Sequence, residues 1–95
     1  MSLAQHIIID RELNGDSQII YRFPNGYGAS VVRSQYTYGG DKGLFELAVL
    51  TFDGNGNWHL TYETPITNDV LGHLSVSDVD FQLDQIAALS SQVTK

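Results

Sequence analysis

Short runs of alternating apolar and polar residues, separated by turn-forming pairs, occupy most of this chain. Gln18 to Phe23 places Ile19, Tyr21 and Phe23 on one side, and Tyr27 to Ser34 resumes a strand-like pattern. An alternation with period two is typical of β-strands. The intervening Asn25-Gly26 supplies the two positive-φ residues that a tight hairpin turn requires. We therefore predict an antiparallel hairpin whose first strand is ended by Pro24.

Three further segments have the composition of strands. The run from His6 to Asp10 contains three consecutive isoleucines, and β-branched residues favour an extended backbone. Leu44 to Phe52 is apolar on both alternating faces, which predicts a central strand covered on both sides. Trp58 to Glu63 alternates again and is closed by Pro65. Asn-Gly pairs at 14–15 and 55–56 predict two more turns.

The C-terminal part of the chain changes to a helical period. Ser75 and Asp78 approximate a capping box, and Leu74 with Val79 has the spacing of a hydrophobic staple, so a helix should start near Val76. An apolar stripe at helical spacing follows: Val79, Leu83, Ile86 and Leu89. Before it, Thr67 to Gly72 is predicted to form a single helical turn, with Thr67 as cap and Gly72 as stop.

These elements predict an α+β fold, with an antiparallel meander sheet of four or five strands and one C-terminal helix packed on one face. Residues 1–95 form a single domain, since a chain of this length buries roughly 65% of its unfolded surface. The absence of cysteine excludes disulfides and thiolate zinc sites, and no signal-peptide pattern is visible, which predicts a cytoplasmic location. No apolar run approaches the roughly 20 residues that span a bilayer, so no membrane partner is expected.

The net charge of −6, from eleven acidic and five basic residues, restricts the class of partner. A negative field repels phosphate backbones, so direct binding to nucleic acid is not expected. Ordinary solubility explains the acidity, because the acidic residues are dispersed. The alternative is an acidic inhibitor that imitates nucleic acid and blocks a host nucleic-acid-binding protein. That function would need four aspartates to form one surface: Asp69, Asp78, Asp80 and Asp84.

Candidate metal sites are incomplete. Asp53 to Asn57 offers oxygens at the first, third and fifth places of an EF-hand loop, but Trp58 replaces the required glycine and Thr64 the bidentate glutamate. A hairpin turn is the better interpretation. His59 and Glu63 share one face of their strand, and His6 would complete a metal site if the first strand lay nearby. A small metal-dependent enzyme is therefore an alternative, although a solvated polar face is favoured.

Catalytic motifs are not evident in the remaining segments. The loop Tyr38 to Gly43 lacks the spacing and terminal hydroxyl of a phosphate-binding loop, and no serine lies in a nucleophile elbow. His73, just before the helix cap, is interpreted as a local hydrogen-bond donor. We therefore expect no catalytic residue, no cofactor and no enzymatic activity.

The loop from Gln35 to Gly43 is longer than a tight hairpin needs and is flanked by residue types that are enriched at protein interfaces. The candidate interaction surface consists of Tyr27, Arg33, Tyr36, Tyr38 and Lys42. It would bind an unknown protein partner or mediate self-association. The competing interpretation is that tyrosine simply suits strands and covers sheet edges.

Three blocks carry a resemblance to a known group of proteins: NGYGASVVR at 25–33, YTYGGDKGLFELAVL at 36–50, and WHLTYETPITNDVLGHL at 58–74. Together they resemble a family of small uncharacterised proteins encoded by bacteriophages and prophages, over roughly Ile8 to Leu89. The resemblance implies a phage or prophage origin and hence the cytoplasm of a bacterial host cell. It implies no activity and no catalytic residues. The predicted function is therefore that of a non-enzymatic phage accessory protein acting through protein–protein interaction.

Overall fold

A computed structural model of the chain describes residues 3–13, 16–34, 42–62, 64–66 and 70–90. Within these ranges the chain forms a short 3-10 turn, Ala4–His6, followed by six strands and one α-helix. In chain order the elements are β1 (Ile7–Leu13), β2 (Asp16–Arg22), β3 (Tyr27–Arg33), β4 (Phe45–Phe52), β5 (Trp58–Leu60), β6 (Leu71–Leu74) and α1 (Val76–Ala87).

The strands form one antiparallel sheet in the order β1-β2-β3-β4-β5, and β6 pairs with β4. One edge of β4 pairs with β3 along its length, and the other edge is divided between two strands. Phe45 and Leu47 pair with β6, whereas Leu50 to Phe52 pair with β5. The predicted α+β meander with a C-terminal helix is confirmed, and β6 is an additional strand.

The predicted helical turn at Thr67 to Gly72 is wrong, because Leu71–Leu74 is a strand and Gly72 lies inside it. Residues 67–69 lie outside the described residues. β6 advances three residues, from Leu71 to Leu74, while β4 advances two. Such an extra residue is a β-bulge, and His73 takes it up with φ of 58°. The sequence signal was misleading because glycine occurs next to bulges within strands as well as at the ends of helices.

Several strand boundaries also differ from the prediction. The isoleucine run is a strand, as predicted, but it continues to Leu13, and His6 belongs to the preceding 3-10 turn. The fifth strand is shorter, since β5 ends at Leu60. The turn at 14–15, residues 35–41 and Glu63 lie outside the described residues.

The helix packs on one face of the sheet through the predicted stripe. Val79, Leu83 and Ile86 are buried in one cluster with sheet residues, and Leu89 packs against it partly buried. The sheet contributes Tyr21, Phe23, Ala29, Val31, Phe45, Leu47 and Val49. The capping box is present, with Asp78 N donating to Ser75 Oγ at 3.2 Å and Ser75 N donating to Asp78 Oδ2 at 3.0 Å. The predicted start of the helix is thereby confirmed.

The sheet also buries apolar side chains on the face away from the helix. Ile20, Ala48 and Leu50 are buried but lie outside the cluster that includes α1. Ile20 and Ala48 both face Ser30 across neighbouring strands, so they share one side of the sheet. The prediction that the fourth strand is central and covered on both faces is therefore confirmed.

Asn25 joins the β2–β3 turn to the C-terminal end of the helix. Its Nδ2 donates to Ile86 O at 2.9 Å, Leu89 O at 3.1 Å and Ala87 O at 3.3 Å. Its Oδ1 accepts from Tyr27 N at 3.0 Å. The last carbonyls of a helix have no partner within the helix, so this amide supplies one. Asn25 thus has a role beyond the predicted turn. The expectation of two positive-φ residues in that turn is wrong, because Gly26 has a positive φ and Asn25 does not.

The Asn25→Asp variant is expected to be less stable than the parent by about 1–3 kcal/mol at neutral pH. The new carboxylate can still accept the hydrogen bond from Tyr27 N, but its other oxygen places a negative charge against the negative end of the helix. This contact raises the pKa of the new carboxyl in the folded state, so the loss should shrink as pH falls through that raised pKa and be smallest below the ordinary carboxyl value of about 4, where the protonated carboxyl donates again. Urea unfolding at several pH values measures both effects. Asn55→Asp, in the exposed 53–57 turn, is the matched control; equal losses in both variants would contradict the role of Asn25.

Candidate interaction surface

Three large side chains are exposed at alternate positions along the edge strand β5 and just after it. Trp58 is 38% exposed, Leu60 53% and Tyr62, just after the strand, 44%. β5 ends the strand order, and the helix packs mainly on β3, β4 and β6. Trp58 and Leu60 pair with Phe52 and Leu50, so they lie on the sheet face away from the helix. We refer to Trp58, Leu60 and Tyr62 as the β5 surface.

The backbone of β5 also leaves polar groups on its outer edge. Asn57 O accepts from Asp53 N and Thr61 N donates to Val49 O, each at 2.9 Å. In an antiparallel pair, hydrogen-bonded and non-hydrogen-bonded residues alternate, so His59 directs its N–H and C=O towards β4. Trp58 and Leu60 consequently direct theirs away from β4. Among the described residues, no strand pairs with this edge.

Trp58 is held by an aromatic and cationic cluster. Its ring meets that of Phe52 edge to face, with centroids 6.3 Å apart. The guanidinium carbon of Arg22 lies 4.9 Å from the Phe52 centroid, within the range of a cation–π contact. Phe52 in turn covers Gly28, where a side-chain carbon would lie 2.6 Å from the Phe52 ring. This stack fixes the position of Trp58 although the indole is partly exposed.

The turn before β5 is ordered by Asp53. Its Oδ1 accepts from Asn55 N at 2.8 Å and from Asn57 N at 3.0 Å, and Asp53 N donates to Asn57 O. His59 Nε2 lies 3.4 Å from Asp53 Oδ2. These two backbone hydrogen bonds, with a smaller contribution from His59, lower the pKa of Asp53. The interpretation of this segment as a hairpin turn is confirmed, since the aspartate oxygens close the turn itself.

We expect the free-energy difference between the parent and Asp53→Asn to depend on pH. Because the folded-state pKa of Asp53 is lowered, its ionised form stabilises the fold above its ordinary value of 3.8. That contribution is lost as pH falls through the lowered value. Denaturant unfolding should show the parent more stable at neutral pH and the two proteins converging in acid. A difference that widens on acidification would contradict the assignment.

The residues predicted as an interaction surface do not form one described patch. Tyr27 and Arg33 are the first and last residues of the seven-residue strand β3, so they lie about 20 Å apart. Tyr27 packs partly buried against the core, and the Arg33 guanidinium lies 5.5 Å from the Phe45 centroid. Lys42 is exposed. Tyr36 and Tyr38, with the rest of the loop at 35–41, lie outside the described residues.

The histidines of the hypothetical metal site are not brought together. His6 precedes β1 and packs against Phe23, with ring centroids 5.4 Å apart, while His59 lies on β5 at the other end of the strand order. The condition under which His6 would complete the site is not met, because β1 pairs with β2 at the opposite edge of the sheet. Glu63 falls outside the described residues, and those described contain no group of three potential ligands among His, Cys, Asp and Glu. His73 is exposed and lies on β6, within the bulge.

Tyr21 has the other perturbed titratable group among the described residues. Burial raises the pKa of its phenol, with smaller contributions from the carboxylates of Asp80 and Asp10. Its hydroxyl is buried without a hydrogen-bond partner within the described residues. A raised pKa keeps the phenol protonated at neutral pH, which does not favour a role as base or nucleophile. We interpret Tyr21 as a core residue of the helix-facing cluster.

The aspartates of α1 lie on both sides of the helix. Asp78 and Asp80 are two positions apart, which is about 200° around the helix axis, and Asp78 is used in the capping box. Asp84 is exposed on the same side as Asp80. Asp69 lies outside the described residues. This arrangement gives no specific support to an inhibitor that imitates nucleic acid.

Sequence reasoning missed the β5 surface. Trp58, Leu60 and Tyr62 alternate with polar residues, which predicts an inward apolar face, yet β5 is exposed. No local signal indicates this exposure, because it depends on which strands lie beside β5.

Comparisons with known proteins add no name to this site. Neither a protein-family model, nor a curated protein, nor a solved structure matches the chain. In the part of the chain that is described, the helix is too short and too polar to cross a membrane.

Proposed function

We propose that this chain is a non-enzymatic accessory protein of a phage or prophage and that it acts through protein–protein interaction. The observation that supports an interaction is the β5 surface, where tryptophan, leucine and tyrosine are exposed side by side. Single exposed apolar residues are ordinary, whereas adjacent ones indicate contact sites. Tryptophan and tyrosine also dominate binding energy at interfaces. The proposed origin rests on the sequence resemblance.

The anchoring of Trp58 supports the same function. Phe52, whose ring is also contacted by Arg22, packs against the indole before any partner arrives. A side chain that is already ordered loses less conformational entropy on binding. The partner is therefore expected to recognise a largely preformed surface, and the cytoplasm of the bacterial host is its proposed location.

Capture from host lysate with matched baits tests the proposed function. A Trp58→Ser/Tyr62→Ser double variant should lose the captured partner while remaining folded by circular dichroism, with an unfolding midpoint well above the temperature of the capture experiment. Phe81→Ser is the control, since Phe81 is 59% exposed on α1 and its change removes an exposed aromatic side chain outside the β5 surface. A Tyr36→Ser/Tyr38→Ser variant tests the loop tyrosines as part of the surface.

The outcomes separate the possibilities. If only the β5 variant fails to capture the partner, the β5 surface is the contact site. If only the loop variant fails, the contact site is the loop. Equal capture by all baits, or loss that merely follows unfolding, contradicts an interaction at either surface.

A further inference from the structure

The two edges of the sheet differ in how they are protected. β1, at one edge, carries Asp10, Arg11 and Glu12 in succession and has a register irregularity between Ile7 and Ile9. Charged residues and bulges prevent unwanted pairing of an edge strand. β5, at the other edge, has the sequence Trp-His-Leu and a regular register with β4. Its shortness is its main protection, so no described strand prevents its edge from pairing over a short length.

Building on the proposed interaction, we propose that β5 binds an extended, basic segment of another protein by strand addition. The segment would hydrogen-bond to the outward N–H and C=O groups of Trp58 and Leu60. Its alternate apolar side chains would pack beside these two side chains on the face away from the helix. Main-chain hydrogen bonds then give affinity, and the exposed side chains give specificity.

Charge selects this occupant over a second copy of the chain. The chain carries −6, so two copies repel each other, whereas a segment rich in lysine or arginine is attracted. A nucleic acid is repelled for the same reason and offers no strand to pair. Binding to a basic segment should weaken with salt, because screening reduces the attraction between exposed charges.

Trp58 is the only tryptophan of the chain, so its fluorescence reports on the proposed site directly. The probe is a short synthetic peptide in which lysine and valine alternate. We expect a saturable blue shift of the emission as the peptide covers the indole, and a weaker affinity at high salt. A peptide with glutamate in place of lysine should not bind. Sedimentation of the free protein should show no dimer under the same conditions.

Two peptide derivatives test the backbone contacts without changing the protein. One derivative is N-methylated at its odd-numbered residues and the other at its even-numbered residues. Each derivative therefore lacks N–H donors along one edge of the extended peptide. One derivative should lose about tenfold or more in affinity and the other should bind nearly as the parent does. Equal binding by both derivatives would overturn strand addition.

The Leu60→Pro variant tests the same backbone hydrogen bonds by changing the protein instead of the peptide. Proline removes the outward N–H of residue 60 and leaves the β4 bonds of residues 59 and 61 in place, as is tolerated on edge strands. Peptide affinity should fall by about tenfold or more while the unfolding midpoint stays near that of the parent. If this variant does not fold, the comparison of the two methylated peptides tests strand addition without it.

The failure of strand addition can be distinguished from the failure of the proposed function. If partner capture depends on Trp58 and Tyr62 but neither methylated peptide loses affinity, the interaction stands and its mode is different. A dimer of the free protein that dissociates on Leu60→Pro would assign the edge to a second copy and overturn the basic segment.

Discussion

Replacing Leu83 with alanine is expected to reduce the free energy of unfolding by about 2–4 kcal/mol. Leu83 is fully buried at the centre of the α1 stripe, between Val79 and Ile86. Removing its branched side chain forfeits burial of apolar area and leaves a cavity that the surrounding strands fill only partly. Urea unfolding followed by circular dichroism measures the loss.

Phe81→Ala is the matched control for the helix. Phe81 is two positions from Leu83 on the same helix, but its side chain is largely exposed. Its replacement should change stability by no more than about 0.5 kcal/mol, because a surface site loses little burial and alanine favours the helix. A reversed order, with Phe81→Ala costing more than Leu83→Ala, would show that the helix presents a different face to the sheet.

The sequence predicts the helix well because its signals are local. Ser75 and Asp78 form their reciprocal hydrogen bonds within one helical turn, so the capping box needs no distant residue. The stripe of Val79, Leu83 and Ile86 follows from the helical period alone. The β2–β3 hairpin is equally local, since Asn25-Gly26 determines a turn between two adjacent runs. Elements of this kind can be predicted without the rest of the fold.

β6 and β5 are harder to predict because both depend on distant partners. Leu71–Leu74 becomes a strand only because one half of the outer edge of β4 is free to pair with it. Its four residues carry no alternation that would reveal this pairing, and Gly72 favours another interpretation. β5 occupies the other half of that edge. Strand order therefore determines the exposure of Trp58, and no local pattern contains the strand order.

The candidate interaction surface was difficult to predict from the sequence for the same reason. Tyr27 and Arg33 have residue types that are common at interfaces, but in the fold each contacts an aromatic or apolar core neighbour. Residue type identifies which side chains are able to contribute to binding, while exposure determines which ones are accessible. Leu60, an ordinary residue in sequence, becomes a candidate because it is more than half exposed on an edge strand.

Gly28→Ala is expected to be the most disruptive substitution of a small residue in the sheet, at about 3 kcal/mol. A Cβ at this position would overlap the carbonyl oxygen of Tyr21 and lie 2.6 Å from the Phe52 ring. The carbonyl cannot withdraw without disturbing the pairing of β2 with β3. Phe52 cannot turn aside without leaving Trp58 and Arg22. The substitution should therefore lower the unfolding midpoint and also change the emission of Trp58 in the folded state.

Gly54→Ala provides the matched control, because a Cβ at Gly54 meets no atom within 4 Å. This variant should unfold at nearly the parent midpoint with unchanged Trp58 emission, although it lies closer to Trp58 in sequence. Thermal unfolding followed by tryptophan fluorescence measures both properties in one experiment. If Gly28→Ala were as stable as Gly54→Ala, Phe52 would have to be free to move away from Gly28. Trp58 would then lack its rigid support, and the preformed β5 surface would be contradicted along with the packing.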